Sequence, residues 1–482
     1  MLSAAIRRDW PGRVWRALLG RTPFLPASRR TPPLFRAWLA FLDESQHWPA
    51  ARQAVYQLAQ LRRLLAHGEA HVPYWRRLFA ERGIRSADCA ALSFLTRIPP
   101  LTKDLVRANL DALRADPVSL SGPATKFTTG GSTGEPMALY RDDASWEIER
   151  AFIARAWRWA GWRVGEPMLQ IRGNVVDERR LASGRIWRID RRENVMRVSP
   201  YHLGREALPK LLEAVRRFKP RFLHAYPTSA LLLAQLLDEA QAELGATLTA
   251  VLLGSEPVYP HQRALLERVF RCRVFSHYGL AEGAALATEC ATSAEYHLMP
   301  EYAVVEFLRP GSDEPAQDGE IGEIVGTCLF NYAFPLLRYR TDDYVRVRRA
   351  RSAGCGHDFP ALGFVLGRGQ DVIVRRDGGL IPLTSFSFGR HMAAYERMRA
   401  MQFEQREAGR LVFRVVRGPG FGEQDAAELL AEFHRNGHGQ VEIALEYVDA
   451  IDKTASGKQR HLIQRLPIAG PYCAAPSWGA DD

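Results

Sequence analysis

This 482-residue chain lacks several features that define other classes of protein. Its six cysteines are too few and too widely spaced for a disulfide framework, which indicates a reduced, cytoplasmic protein. It has no run of 18 apolar residues, and no apolar segment near its N-terminus is long enough for a signal peptide, so no transmembrane segment is predicted. Internal repeats and low-complexity tracts are also lacking. The length and the globular composition indicate two or three domains.

The charge of the chain is basic but not concentrated. Lysine and arginine number 65 against 54 acidic residues, a formal net charge of +11, and the arginines are scattered through helical and strand-like segments. No basic patch with interleaved aromatic residues is present, which argues against a nucleic-acid partner. A small anionic ligand suits this balance. The sequence leaves the oligomeric state open, a homodimer included.

The spacing of apolar residues predicts the secondary structure. Apolar residues recur at helical spacing over 35–82 and over 140–162, and residues 302–347 are typical of closely spaced strands. Between residues 165 and 300, short apolar runs alternate with helical segments, which predicts a mostly parallel sheet with helices on its faces. The strands there are predicted at 168–171, 222–225, 251–253 and 274–276, and the helices at 205–218, 229–244 and 260–270.

These patterns predict an α/β fold with a large and a small domain. We expect a helical N-terminal region (1–95) and the main part of the large domain (96–366), whose mostly parallel sheet is followed by a β-rich subdomain. A small α+β C-terminal domain (367–482) completes the chain.

A glycine-rich stretch at 127–136, FTTGGSTGEP, has the composition of a phosphate-binding loop. Its glycines let backbone amides approach a ligand, and its hydroxyl groups can donate hydrogen bonds to phosphate oxygens. It is not a Walker loop, because Glu135 and Pro136 stand where that pattern has lysine followed by serine or threonine. An ordinary polar surface loop is the alternative that remains open. The candidate phosphate ligands are Thr129, Gly130, Gly131, Ser132, Thr133 and Gly134.

Two further turns, at 254–257 and 278–282, follow predicted strands. Ligands of α/β sheets bind at the carboxyl ends of strands, so both turns are expected to face one crevice. Aromatic walls there would favour an aryl or hydrophobic ligand, although core packing is an equal alternative for the tyrosines. The candidate ligand-binding residues of the two turns are Gly254, Ser255, Glu256, Tyr278 and Gly279, and the candidate substrate ligands are Tyr226, Pro227, His277 and Tyr278.

Three later motifs complete an ordered series. They are RYRTDD at 338–343, GRGQD at 367–371 and KTASGK at 453–458. In this order, the five motifs resemble those of adenylate-forming ligases, specifically the branch of phenylacetate-CoA ligases and capsule-biosynthesis ligases. The similarity covers residues 55–465 approximately. It implies ATP-dependent conversion of a carboxylic acid to an acyl-adenylate, with release of pyrophosphate and transfer of the acyl group, by default to coenzyme A.

The resemblance also implies roles for single residues. Asp343 would bind both ribose hydroxyls, and Arg368 would lie near the ribose and the phosphates, at the hinge of a mobile C-terminal domain. Lys458, Glu282 and Thr133 would be catalytic. Lys458 would stabilise negative charge on the α-phosphate, Glu282 would help to hold Mg²⁺, and Thr133 would belong to the clamp on the phosphates.

Three positions depart from the family pattern. Glu135 stands where the loop usually carries lysine, Asp342 replaces a glycine or arginine, and Gln370 replaces an acidic residue or lysine at the hinge. These departures leave open a nucleotide-binding relative without catalysis, whereas Lys458 and Asp343 favour an active adenylation step. An amine or a sugar hydroxyl as acyl acceptor, or transfer of AMP itself, also stays open.

Two cysteine–histidine pairs form a second candidate site. Cys290 and His297, together with Cys355 and His357, can complete a tetrahedral zinc shell if the fold brings the pairs together. The resemblance implies a structural Zn²⁺ at such positions. Four unrelated side chains are the alternative, with Cys290 a buried small apolar residue.

Overall fold

The structure is a computed structural model. It describes residues 31–120, 122–128, 137–172, 181, 183–255, 258, 260–309, 312–351, 355–367, 372–378, 380–382, 386–387, 392, 394, 397–418, 420–449, 451 and 462–466. The α-helices in these ranges are α1 (Pro33–Ser45), α2 (Ala50–His71), α3 (Pro73–Arg82), α4 (Lys103–Ala108), α5 (Asp143–Trp159), α6 (Leu208–Phe218), α7 (Pro227–Glu239), α8 (Pro260–Phe270) and α9 (Glu423–Asn436). None of them is both long and apolar enough to span a bilayer.

The strands of the large domain come first along the chain. They are β1 (Thr125–Thr128), β2 (Ala138–Arg141), β3 (Met168–Ile171), β4 (Trp187–Asp190), β5 (Val195–Val198), β6 (Phe222–Ala225), β7 (Ala250–Gly254), β8 (Arg273–Gly279), β9 (Leu286–Thr288), β10 (His297–Leu298), β11 (Ala303–Leu308), β12 (Ile321–Cys328), β13 (Tyr339–Arg346) and β14 (Phe364–Gly367). The remaining strands are β15 (Val372–Val374), β16 (Leu380–Pro382), β17 (Met398–Glu407), β18 (Arg410–Arg417), β19 (Glu442–Tyr447) and β20 (Leu462–Gln464).

An eight-stranded sheet forms the centre of the large domain, in the order β10-β9-β8-β7-β6-β3-β5-β4. Strands β5, β3, β6, β7 and β8 are parallel, and β4, β9 and β10 are antiparallel to their neighbours. Every residue of β6 and β7 is buried, as expected for parallel strands that are covered on both faces. The predicted α/β fold with a mostly parallel sheet is confirmed.

Helices cover both faces of this sheet. On one face, Leu211 of α6, Leu233 of α7 and Leu266 of α8 share a buried cluster with apolar residues of β3, β6 and β7. On the other face, Trp157 of α5 packs against Met168, at the start of β3, and its neighbours. Helix α1 covers α5 in turn. The core of the large domain therefore lies in layers above and below the sheet.

The other sheets among the described residues are two of four strands and two of two strands, β1-β2 and β15-β16. Strands β11 to β14 form an antiparallel sheet, and β19-β18-β17-β20 form a mixed one around a core of aromatic residues that includes Phe403, Phe413 and Phe433. That last core contains only residues from Ile373 to Leu462. The predicted domain boundaries after residues 95 and 366 stay predictions.

Several predicted bounds of elements were wrong. The helix expected from residue 140 begins at Asp143, because Tyr140 belongs to β2 and the Asp142 carboxylate caps the helix by accepting a hydrogen bond of 2.8 Å from the Ser145 amide. The helix expected at 229–244 runs from Pro227, a residue suited to the first turn, to Glu239. Strands β4 and β5 were not predicted.

Candidate active site

The residues predicted to face one crevice lie at the carboxyl ends of the neighbouring parallel strands β6, β7 and β8. Gly254, the last residue of β7, is directly opposite His277 of β8. A Cβ atom at position 254 would lie 2.3 Å from the His277 ring, so only glycine fits beside this imidazole. Burial, followed by the positive charge of Arg172, lowers the pKa of His277 to about 4. The His277 ring is therefore neutral near pH 7.

The residue predicted to bind ribose is held at the end of β8. The Tyr278 hydroxyl donates a hydrogen bond of 2.8 Å to Asp343 Oδ2, which joins residues 65 positions apart. Only 7% of Asp343 is exposed, and its amide donates to Thr341 Oγ1 at 3.1 Å. The carboxylate is therefore oriented before any ligand binds.

The unusual Asp342 next to it has a different partner. Its φ angle of 60° lies in the left-handed region, which favours glycine. Its carboxylate forms an ion pair of 2.9 Å with Lys103 Nζ. Asp342, which departs from the family pattern, therefore links α4 to β13. The Asp343 carboxylate keeps its hydrogen bond with Tyr278.

Glu282 is buried beside the hydroxyl of Tyr339, a residue of the motif at 338–343. Only 6% of this residue is exposed, and the Tyr339 hydroxyl donates to its Oε1 at 3.2 Å. The preceding turn is held by Arg141, whose guanidinium donates to the Ala281 carbonyl at 2.6 Å. Arg141 is itself paired with Glu149 at 3.5 Å. The turn after β8 thus presents Glu282 from a rigid support.

Several predicted site residues lie outside the described residues. They are Thr129, Gly130, Gly131, Ser132, Thr133, Gly134, Glu256, Arg368 and Lys458. The described flanks of the glycine-rich loop are the antiparallel strands β1 and β2, with Thr128 opposite Ala138. The roles of the site residues outside the described ranges stay predictions.

A polar group next to Tyr226, a predicted substrate residue, was missed by the sequence reasoning. Arg172, directly after β3, places its Nη1 3.0 Å from His224 Nε2 on β6 and donates through Nη2 to Ser255 Oγ at 2.7 Å. Its guanidinium carbon lies 4.5 Å from the centre of the Tyr226 ring. Burial and the charge of Arg172 hold the pKa of His224 well below its usual value.

The sequence contains a pattern that indicates the polar group around Arg172 and His224. The strands β3, β5 and β6 each have four residues, and the third is polar in an otherwise apolar run: Gln170, Arg197 and His224. These residues are in register across the sheet. Polar residues repeated at one position of neighbouring buried strands indicate a polar site on that face.

The cysteine–histidine site is partly assembled. Ligand atoms of Cys290, His297 and Cys355 all lie within 4.8 Å of one another, with Cys355 Sγ 4.0 Å from His297 Nε2. His357 lies outside this group. Its ring stacks on Trp159 with a centroid distance of 4.3 Å, and its Nδ1 is 3.3 Å from the Gln46 carbonyl oxygen.

The chain matches two family models. Residues 197–326 match the model of AMP-binding enzymes, and residues 373–465 match the CapK C-terminal domain. Protein CapK of Staphylococcus aureus is 23% identical over 373 residues, which cover 77% of this chain and 80% of that protein. The phenylacetate-coenzyme A ligase of Thermus thermophilus is 26% identical over 355 residues, covering 71% and 76%.

A solved structure shares the fold. A 2-hydroxyisobutyryl-CoA ligase in complex with 2-HIB-AMP and CoA aligns with a TM-score of 0.61 at 19% identity, covering 87% of this chain and 91% of that one. The match to the AMP-binding model and the ligases among the relatives define an adenylate-forming enzyme. The chain has an AMP-binding domain and a CapK C-terminal domain, is similar to CapK and to the phenylacetate-CoA ligases, and is an acid–CoA-ligase-like enzyme.

Proposed function

We propose that this enzyme adenylates a carboxylic acid and transfers the acyl group to coenzyme A. The observation that carries the proposal is the Tyr278–Asp343 pair, a buried carboxylate held at the end of β8 where it can accept hydrogen bonds from both ribose hydroxyls. The phenylacetate-coenzyme A ligases among the relatives support coenzyme A as the acceptor.

The proposed reaction has two steps. A carboxylate oxygen of the acid attacks the α-phosphorus of ATP, and pyrophosphate leaves. The thiolate of coenzyme A then attacks the acyl carbon, and AMP leaves with the bonding electron pair. The first step concentrates negative charge on the α-phosphate. We expect Lys458 and the glycine-rich loop to stabilise this charge.

The residues also suit Mg²⁺. Glu282 presents a buried carboxylate from the turn after β8, and hard divalent cations prefer such oxygen ligands. A bound Mg²⁺ would neutralise phosphate charge. The Tyr339 hydroxyl orients one Glu282 oxygen.

The proposal is tested by pyrophosphate release from ATP and magnesium with a panel of aryl and aliphatic acids, with and without coenzyme A. We expect acid-dependent release and a thioester that forms only when coenzyme A is present. If no acid in the panel gives release while ATP still binds, the enzyme is a nucleotide-binding relative without this chemistry.

The match to the CapK C-terminal domain favours a second candidate for the acceptor. In this second candidate reaction, an amine or a sugar hydroxyl accepts the acyl group instead of coenzyme A. Acid-dependent pyrophosphate release without any thioester, followed by amide or ester formation with an added amino sugar, would support this candidate over coenzyme A.

Replacing Asp343 by asparagine should raise the KM for ATP about tenfold or more, because a charged acceptor for the ribose hydroxyls is lost. The neighbouring Asp342→Asn is the matched control. In the parent, the Asp342 carboxylate pairs with Lys103. Its loss should therefore change the KM for ATP by less than about twofold, even if the protein becomes less stable. Equal effects of the two variants on this KM would contradict the assignment of Asp343.

We also propose a structural zinc ion at Cys290, His297 and Cys355. Two thiols and one imidazole within 4.8 Å of one another are a ligand set that zinc prefers. We expect purified protein to contain about one zinc ion per chain by elemental analysis. Cys290→Ser and Cys355→Ser should lose the metal and melt at a lower temperature. Cys272→Ser, at a free cysteine outside the group, should keep it. A parent protein that contains no zinc, and whose melting temperature does not change when zinc is added, would rule the site out.

A further inference from the structure

The guanidinium of Arg172 has donors that no described residue occupies. Of its five N–H groups, one is directed at His224 and one donates to Ser255, so three have no partner among the described residues. The Tyr226 ring packs against the guanidinium. Among the described residues, no carboxylate forms an ion pair with Arg172. The described part of the site therefore holds a half-buried cation without a counter-charge.

The described side chains that contact Arg172 are uncharged, and a second cation, Arg197, which is paired with Glu193, also acts on His224. The pKa of His224 and that of His277 are both lowered, by burial and then by Arg172 itself, so both rings are neutral near pH 7. A cation in such surroundings favours an anionic ligand, and a guanidinium favours a carboxylate because two parallel N–H groups match its two oxygens.

The position of the guanidinium separates it from the ribose site. Arg172 follows β3 and reaches across β6 to Ser255, at the end of β7. Tyr278 and its partner Asp343 lie on the far side of β7, at the end of β8. Neighbouring strands are about 4.8 Å apart, so the guanidinium lies on the side of the crevice away from the ribose carboxylate. The predicted substrate residues Tyr226 and Pro227 follow β6 on this side, so we infer that the acyl part of an acyl-adenylate extends to it.

We propose that Arg172 binds a second carboxylate of the acid, so that the enzyme prefers dicarboxylic acids. This inference rests on the proposed adenylation. The reacting carboxylate is a poorer fit to Arg172, because a bidentate ion pair would stabilise it in the ground state and weaken it as a nucleophile. Arg172 is thus a specificity-determining residue, and the preferred substrates differ from the aryl or hydrophobic acids that aromatic walls suggest.

The test compares dicarboxylic acids of several lengths, aliphatic and aromatic, with their monomethyl esters, which keep the length and lose one charge. Pyrophosphate release gives kcat and KM for each. In the parent, the KM of the best diacid should be about 10- to 100-fold lower than that of its ester. Arg172→Gln should remove this difference by raising the KM of the diacid alone. Arg172→Lys keeps the charge but loses the two parallel N–H donors, so the ratio of the two KM values should be intermediate. This variant also serves as a control for a folding defect in the glutamine variant.

The control is Arg188→Gln, at an exposed position on the edge strand β4, which should leave both KM values unchanged. Two outcomes overturn the inference while adenylation stands: the parent releases pyrophosphate equally well with diacids and esters, or Arg172→Gln raises both KM values by the same factor. Absence of release with every acid, in the parent, instead rejects the proposed adenylation on which the inference depends.

Discussion

Replacing Lys458 by alanine should reduce acid-dependent pyrophosphate release by about 100- to 1000-fold, the usual effect of removing one group that stabilises charge in a transition state. The lysine is a compact cation on a flexible arm, in a segment (453–458) that contains a glycine, and the charge on the α-phosphate grows only as pyrophosphate leaves. The loss should therefore appear in kcat rather than in binding of ATP. Initial rates and a nucleotide-binding titration on the same preparations measure both.

Lys453→Ala provides the matched control, since it removes a lysine from the same motif. We expect this variant to keep most of the rate. A Lys458→Ala enzyme that works within about threefold of the parent would contradict the assigned role, because a transition-state contact of ordinary strength exceeds that factor. A similar loss in both lysine variants would point to the fold of the segment rather than to one cation.

Replacing Glu301 by glutamine should destabilise the large domain by about 3–5 kcal/mol, the usual cost of breaking a buried ion pair. Arg155 and Glu301 are both fully buried, and the guanidinium makes two hydrogen bonds, of 2.7 and 3.2 Å, to the carboxylate. The Ser45 hydroxyl donates to the same carboxylate at 2.5 Å, so the pair joins α1, α5 and the segment before β11. The melting temperature should fall by roughly 10 °C.

Two further variants make this test specific. The double variant Arg155→Met/Glu301→Leu should recover much of the lost stability, because no unpaired charge stays buried. Glu44→Gln breaks the exposed pair of Glu44 with Arg52 and should cost less than about 1 kcal/mol. If Glu301→Gln melts with the parent, the buried pair does not stabilise the fold.

Much of the parallel sheet was predictable from local pattern. Strands β3 and β6 and helix α8 have the predicted bounds, because short apolar runs and helical periodicity are properties of neighbouring residues. Strands β4 and β5 were not predicted. Strand β4 lies at the sheet edge with two exposed residues in the middle, so it lacks the apolar run that marks β3 and β6. Helix α5 was predicted to begin too early because its first apolar residues belong to the β1–β2 hairpin.

The ordered motifs, and with them the family and the expected ATP chemistry, were determined by the sequence alone, because those residues are neighbours along the chain. The tertiary structure decided which distant side chains meet. It placed Tyr278 on Asp343, grouped Cys290 and His297 with Cys355 while His357 stacks elsewhere, and put Arg172 among uncharged partners. Such contacts depend on strand order and register, which local pattern does not contain.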